Sequence, residues 1–199
     1  MQFKNIILFI VLGFSLTANY AIAKSSVWKI SKGDNYFYIG GTIHVLTEKD
    51  HPLPNEFSKA YEESNIIVFE TDLIAAQSLE FQTNLIATMT YSDDRNIASE
   101  IDPTTLQKLE EFMINRQIPI ENFKKFKPWG VSLVISMIEY QRLGMLPEYG
   151  VDNYFNNLAI EDNKTIKALE TPDEQLSFIK SMENIDPNSG LNYTLEELN

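Results

Sequence analysis

The 199-residue chain contains no cysteine. Disulfides, thiolate-held zinc, a cysteine nucleophile and lipoprotein-type lipid attachment are all excluded, so stability has to come from burial. Histidine is nearly as scarce, with only His44 and His51 present. Any imidazole chemistry must use one of them. Basic residues are in deficit, 16 against 28 acidic ones, for a formal net charge of −12. Such a surface repels phosphate backbones and anionic lipid, which argues against nucleic-acid partners and membrane-surface binding. There is no Gly-x-Ser-x-Gly, no phosphate loop and no dinucleotide fingerprint. No run reaches the roughly 18 uninterrupted apolar residues of a membrane span, and no internal repeat is present.

What is present begins with a leader. Lys4 supplies a positive start, Ile6 to Leu16 an apolar core, and Ala21-Ile22-Ala23 a small-residue cleavage site. Residues 1–23 are predicted to be a signal peptide cut after Ala23, which directs the protein to the periplasm or outside the cell. Residues 24–199 are long enough for one domain with its own core.

Along that domain, Val27 to Ile30 and Tyr36 to Ile39 flank a polar turn and predict a hairpin. The second strand, aromatic and apolar, is expected to be buried and to end at Gly40-Gly41, with His44 three residues on. Pro54 suits a first helical turn, and Phe57, Ala60 and Tyr61 follow at helical spacing. Ile66 to Phe69 is a short apolar run bounded by polar residues, expected as a buried strand of a parallel or mixed sheet that stops at Glu70. Leu73 to Thr90 reads as one helix, and Asp102-Pro103 caps another with Leu106, Leu109 and Met113 on one face. Pro128 to Tyr140 is apolar nearly all round, the pattern of a helix buried on most sides. Val151, Tyr154, Phe155, Leu158 and Ala159 form a full helical stripe. Thr165 to Leu169 alternates as a strand and stops at Glu170, and Thr171-Pro-Asp-Glu174 is a capping box that starts a helix at once. Thr194-Leu-Glu-Glu197 repeats that capping form near the last residue. The expected class is α/β, with α+β as its variant: a mixed sheet, a strand-end site and a largely helical insertion.

Three expected strands thus end near His44, Glu70 and Glu170. In open α/β sheets, reactive groups gather outside the carboxyl ends of strands. If these strands are neighbours, the three side chains form a candidate catalytic set. His44 and Glu70 would ligate a divalent metal such as Mn, Co or Zn, or a carboxylate would serve as general base on a water. Competing readings exist for each residue. His44 can be a hydrogen-bonded structural histidine, Glu70 a charge where a strand meets water, and Glu170 a member of the capping cluster with Asp173 and Glu174. His51, before Pro52, reads as a surface residue, Asp152 as a helix-start residue, and Trp28 and Trp129 as core.

Gly41-Thr-Ile-His44 after an aromatic strand resembles the GxxH motif of the TraB/GumN family, which is related to the Tiki metalloproteases. The likeness continues through Pro52-Leu-Pro54, Ala60-Tyr61, Val68-Phe-Glu70-Thr-Asp72, Lys127-Pro-Trp129, Gly150-Val-Asp152, Leu169-Glu170-Thr171 and Gln175. The resemblance implies a periplasmic α/β protein with a metal-dependent, protease-like hydrolase site, whose family residues fall on His44 and Glu70. The family carries a second GxxH motif in a C-terminal half, and no histidine follows His51 here. The domain therefore reads as incomplete at its C-terminus, with impaired activity and an open sheet edge that favours a homo-oligomer. The substrate class implied is a peptide or other small molecule, and the alternative is a non-catalytic periplasmic interaction domain.

Protein recovered from the periplasm should begin at Lys24, as N-terminal sequencing or intact mass would show. A species that keeps Met1 would identify an uncleaved anchor instead.

Overall fold

The computed structural model describes residues 25–199; the expected signal peptide lies outside them. Strands β1 (Val27–Lys32) and β2 (Asn35–Gly40) form the expected antiparallel hairpin, with Trp28 opposite Ile39 and Ile30 opposite Phe37. Gly33 turns the chain at φ 60°, a conformation that glycine reaches without a Cβ penalty. The hairpin is not buried. Trp28 and Phe37 are each 56% exposed, against the expectation of a core tryptophan and an interior strand. Aromatic and β-branched residues suit any pleated surface, so their density reports strand propensity and not depth.

Helix α1 (Asn55–Glu62) follows Pro54 and turns Phe57 and Tyr61 inward. Strand β3 (Ile66–Thr71) then pairs in parallel with β4 (Thr165–Glu170), with Phe69 opposite Ala168 and Thr71 opposite Glu170. Phe69 and Thr71 are buried while Ile66 and Val68 are about half exposed. The run expected to be buried throughout therefore has one wet face, because among the described residues no layer covers it. The mixed α/β class holds, with parallel and antiparallel pairings both present, but the four strands are divided between two separate ladders.

Between β3 and β4 the chain runs through helices. The stretch expected as one helix is two, α2 (Leu73–Ala76) and α3 (Leu79–Met89). Asp72 accepts from the amides of Ile74 and Ala75 at 3.0 Å, and Ser78 restarts the helix by accepting from the Phe81 amide at 3.2 Å. Serine competes with helix continuation by offering its hydroxyl as a cap. Next come α4 (Ile97–Glu100), α5 (Pro103–Asn115), α6 (Pro128–Arg142) and α7 (Val151–Glu161). The last of these lays Val151, Phe155 and Ala159 against Phe69 and Tyr61 in one apolar cluster. Lys164 Nζ closes the end of α1 by donating to the Tyr61 and Ser64 carbonyls at 2.6 and 2.7 Å. After β4 comes α8 (Pro172–Lys180), with the capping box expected at Thr171, and then α9 (Pro187–Glu197).

The second cluster is all-helical. Leu109 and Met113 of α5, Val131 and Ile135 of α6, and Leu191 and Leu195 of α9 form its centre, each no more than 2% exposed. Trp129 is buried, as expected for the α6 pattern. The signal at Thr194 does not start a helix. It lies inside α9, where its hydroxyl donates back to the Gly190 carbonyl at 3.1 Å. The true cap is Asp186, whose carboxylate accepts from the Ser189 amide at 2.8 Å. Burial of Leu191 and Leu195 outweighs the local capping pattern. Among the described residues no helix is long and apolar enough to cross a membrane.

Leu191→Ala should cost about 2–5 kcal/mol of stability in urea denaturation, the usual cost of a core leucine truncation. Thr194→Ala should change stability by less than about 0.5 kcal/mol, whereas loss of a genuine N-cap costs about 1 kcal/mol.

Candidate functional site

The segment after β2 is held against the start of α7 by backbone. Leu46 and Leu146 exchange hydrogen bonds at 2.8 and 3.4 Å, and the Val151 amide donates to the Ile43 carbonyl at 2.9 Å. Gly150 makes this approach possible, because a Cβ there would lie 2.2 Å from the His44 carbonyl oxygen. The contact leaves the His44 ring beside the first turn of α7, where its Nδ1 lies 2.8 Å from Asp152 Oδ2. The Asp152 side chain is 7% exposed and the His44 side chain 69% exposed. The carboxylate only accepts, so Nδ1–H is the donor, and among the described residues no hydrogen bond uses Nε2.

The hydrogen bond that His44 donates to Asp152 holds the His44 pKa above the ordinary histidine value. Partial burial opposes the shift, and the negative charges of Asp152 and Glu70 add to it. Because the folded pKa is raised, the pair's stabilisation is complete below about pH 6.5 and is lost as pH rises through the folded value. Solvent screening of so exposed a ring keeps that contribution small.

Asp152 is the site residue that the sequence reading did not single out. It does start a helix, as expected, but it is also a buried carboxylate with an imidazole partner. The available signals were a charge set three residues before the buried Phe155 and its place in the Gly150-Val-Asp152 run of the family resemblance. His51, expected on the surface, is half-buried; its Nε2 donates to the Tyr149 carbonyl at 2.8 Å and its ring lies 5.0 Å from that of Tyr154.

The carboxylates at the ends of β3 and β4 sit differently. Glu70 is exposed, with its Oε1 3.4 Å from the Gln175 amide nitrogen of α8. Glu170 is half-buried opposite Thr71, and Glu170 Oε2, Thr71 Oγ1 and Gln175 Oε1 are buried with no hydrogen-bond partner among the described residues. Strand pleating sends Thr71 and Glu170 to one face and Glu70 to the other. No hydrogen bond joins Glu170 to His44 or Glu70 among the described residues, so the three are not one contiguous set. His44 and Glu70 communicate through charge, without direct contact.

An imidazole held by an outer carboxylate, with a second carboxylate nearby, is the donor chemistry that Mn, Co or Zn uses. The set is partial: among the described residues no three His, Cys, Asp or Glu side chains are grouped to hold a metal ion. A groove of about 160 Å³ is lined by Gly40 and Thr42 after the hairpin, by β3 from Ile66 to Phe69, and by Asp152, while His44 and Glu70 are not part of its lining.

The model of the TraB/PrgY/gumN family matches residues 26–199. The chain is 24% identical over 159 residues to the uncharacterized protein YbaP of Escherichia coli K12, covering 80% of this chain and 56% of that one. The YbaP of Shigella flexneri is 23% identical over the same coverage. The chain thus spans about half the length of the curated relatives it matches. No solved structure matches it.

In an NMR titration the His44 ring should titrate above the ordinary histidine value. Asp152→Asn should move it down toward about 6.5. An unchanged midpoint in that variant would remove Asp152 as the cause.

Proposed function

This chain belongs to the TraB/PrgY/gumN family, and from that premise we propose that it is a periplasmic, metal-dependent hydrolase of protease-like type, with His44 and Glu70 as its working side chains. The observation that carries the reading is the His44–Asp152 pair, 2.8 Å apart, with the carboxylate buried and the ring open to solvent. A buried carboxylate on Nδ1 fixes the ring's tautomer and rotation and makes Nε2 a better base or ligand. His44 must be neutral to act in either way, so activity should rise with pH through its elevated pKa. Glu70, exposed and steadied by Gln175, serves as the second ligand or as general base on a water. A bound Mn, Co or Zn ion would supply a water activated near neutral pH. Glu170, half-buried on the strand face opposite to Glu70, takes no direct part in the proposed chemistry.

Ile66 to Phe69 of β3 line the groove beside Asp152, and among the described residues β3 pairs with β4 alone, which leaves its other edge open. An extended peptide can pair with such an edge, which favours a peptide over other small-molecule substrates. A second reading, a non-catalytic periplasmic interaction domain, is favoured by the exposed aromatic hairpin with Trp28 and Phe37 on its surface.

Metal binding tests the first reading. Purified protein titrated with Mn, Co and Zn should bind at least one of them saturably, and His44→Ala should abolish that binding. Asp152→Ala should weaken it about 10–100-fold, the usual effect of losing an outer carboxylate. Equal, negligible metal content in wild-type and His44→Ala protein would remove the metal-dependent mechanism.

A further inference from the structure

Away from His44, a cleft of about 410 Å³ opens between α3, the loop after it, the start of α6 and the end of α8. That volume lies within the range of small-molecule sites. Its lining holds three cations, Arg95, Lys127 and Lys180, and no carboxylate. In a chain with 28 acidic and 16 basic residues, a wall of that sign is against the trend of the whole surface.

The three cations differ in what they have left to offer. Lys127 Nζ is paired with Glu183 at 2.7 Å and is largely buried. Arg95 is tethered through one nitrogen: its Nε contacts both Asp93 oxygens at 3.0 and 3.2 Å, its guanidinium lies 4.5 Å from the Tyr91 ring centroid, and the charge of Glu100 also reaches it. Among the described residues no hydrogen bond uses its two terminal nitrogens, and none uses Lys180 Nζ. Guanidinium forks match carboxylate and phosphate oxygens, and an ammonium adds a mobile point charge. Asn84 and Ser92 line the same cleft, and their side chains can donate further hydrogen bonds.

We propose that this cleft is a binding site for a small, multiply charged anion bearing phosphate or carboxylate groups. Arg95 and Lys180 make the primary contacts, and Lys127 supplies a fixed positive background. Asp93 and Tyr91 hold the guanidinium in place, so little side-chain freedom remains to be lost on binding. The site does not depend on the hydrolase reading, because none of its lining residues touches His44, Asp152 or Glu70 by any hydrogen bond among those described.

The test is calorimetric or NMR titration of the whole protein, at low ionic strength, with inorganic phosphate, pyrophosphate and citrate. Saturable binding is expected for at least one of them, and comparison of pyrophosphate with citrate distinguishes phosphate from carboxylate preference. Arg95→Gln and Lys180→Gln should each weaken binding about tenfold or more, as expected for loss of a charge-assisted contact. Both positions are exposed, so the variants should fold. Arg95→Lys and Lys180→Arg should restore part of the affinity, and His44→Ala should leave it unchanged. Absence of saturable binding by all three anions, or equal affinity in wild type and both glutamine variants, would overturn the proposal.

Discussion

A carbonyl with no room in front of it fixes the candidate site. Any side chain at residue 150 would collide with the His44 backbone, so glycine lets α7 start directly against the segment that follows β2. From that contact the rest follows in order. The Val151 amide reaches Ile43, Asp152 is carried beneath the His44 ring, and Val151, Phe155 and Ala159 are aimed at β3. The glycine, the buried carboxylate and the apolar stripe are one device, because a single rigid helix positions all three.

This arrangement explains why so exposed a histidine is held in one orientation. Exposed side chains keep their rotamer freedom unless something holds them, and a charge-assisted hydrogen bond to a buried acceptor does so. Asp152 would be costly to bury alone, and the imidazole satisfies it. The same pairing raises the pH at which His44 becomes neutral, so the contact that orients the ring also sets the pH range in which it can act. Glu70 contributes through its field from the end of β3, and α8 steadies it through Gln175.

Helix α8 also joins this region to the cationic cleft. Its early turns carry Gln175, and its last turn carries Lys180. The two sites are thus supported by one element while facing different chemistry. One presents an imidazole and carboxylates, and the other presents guanidinium and ammonium groups. In an acidic protein, the second depends on Asp93 and Glu183 holding cations without entering the lining themselves.

By itself, the sequence determined most of the local structure and marked His44 and Glu70 as candidate site residues. Pro54, Asp102-Pro103 and the Thr171 capping box start helices where expected, because caps and fixed proline φ act within a few residues. The α6 pattern and the two strands beginning near Ile66 and Thr165 were also readable, since periodicity and strand length are local properties; that the two pair in parallel was not. Depth was not. Trp28 and Ile66 look interior in sequence, yet among the described residues no layer covers them. Ser78 splits a stretch that reads as one helix, and Thr194 resembles a start only until Leu191 and Leu195 are seen filling a core. Tertiary structure alone decided that Asp152, distant in sequence, is the partner of His44, that Glu170 is not, and that Arg95 and Lys180 share a cleft. Those facts depend on which backbones approach each other across long separations, and that is set by packing, which no local pattern encodes.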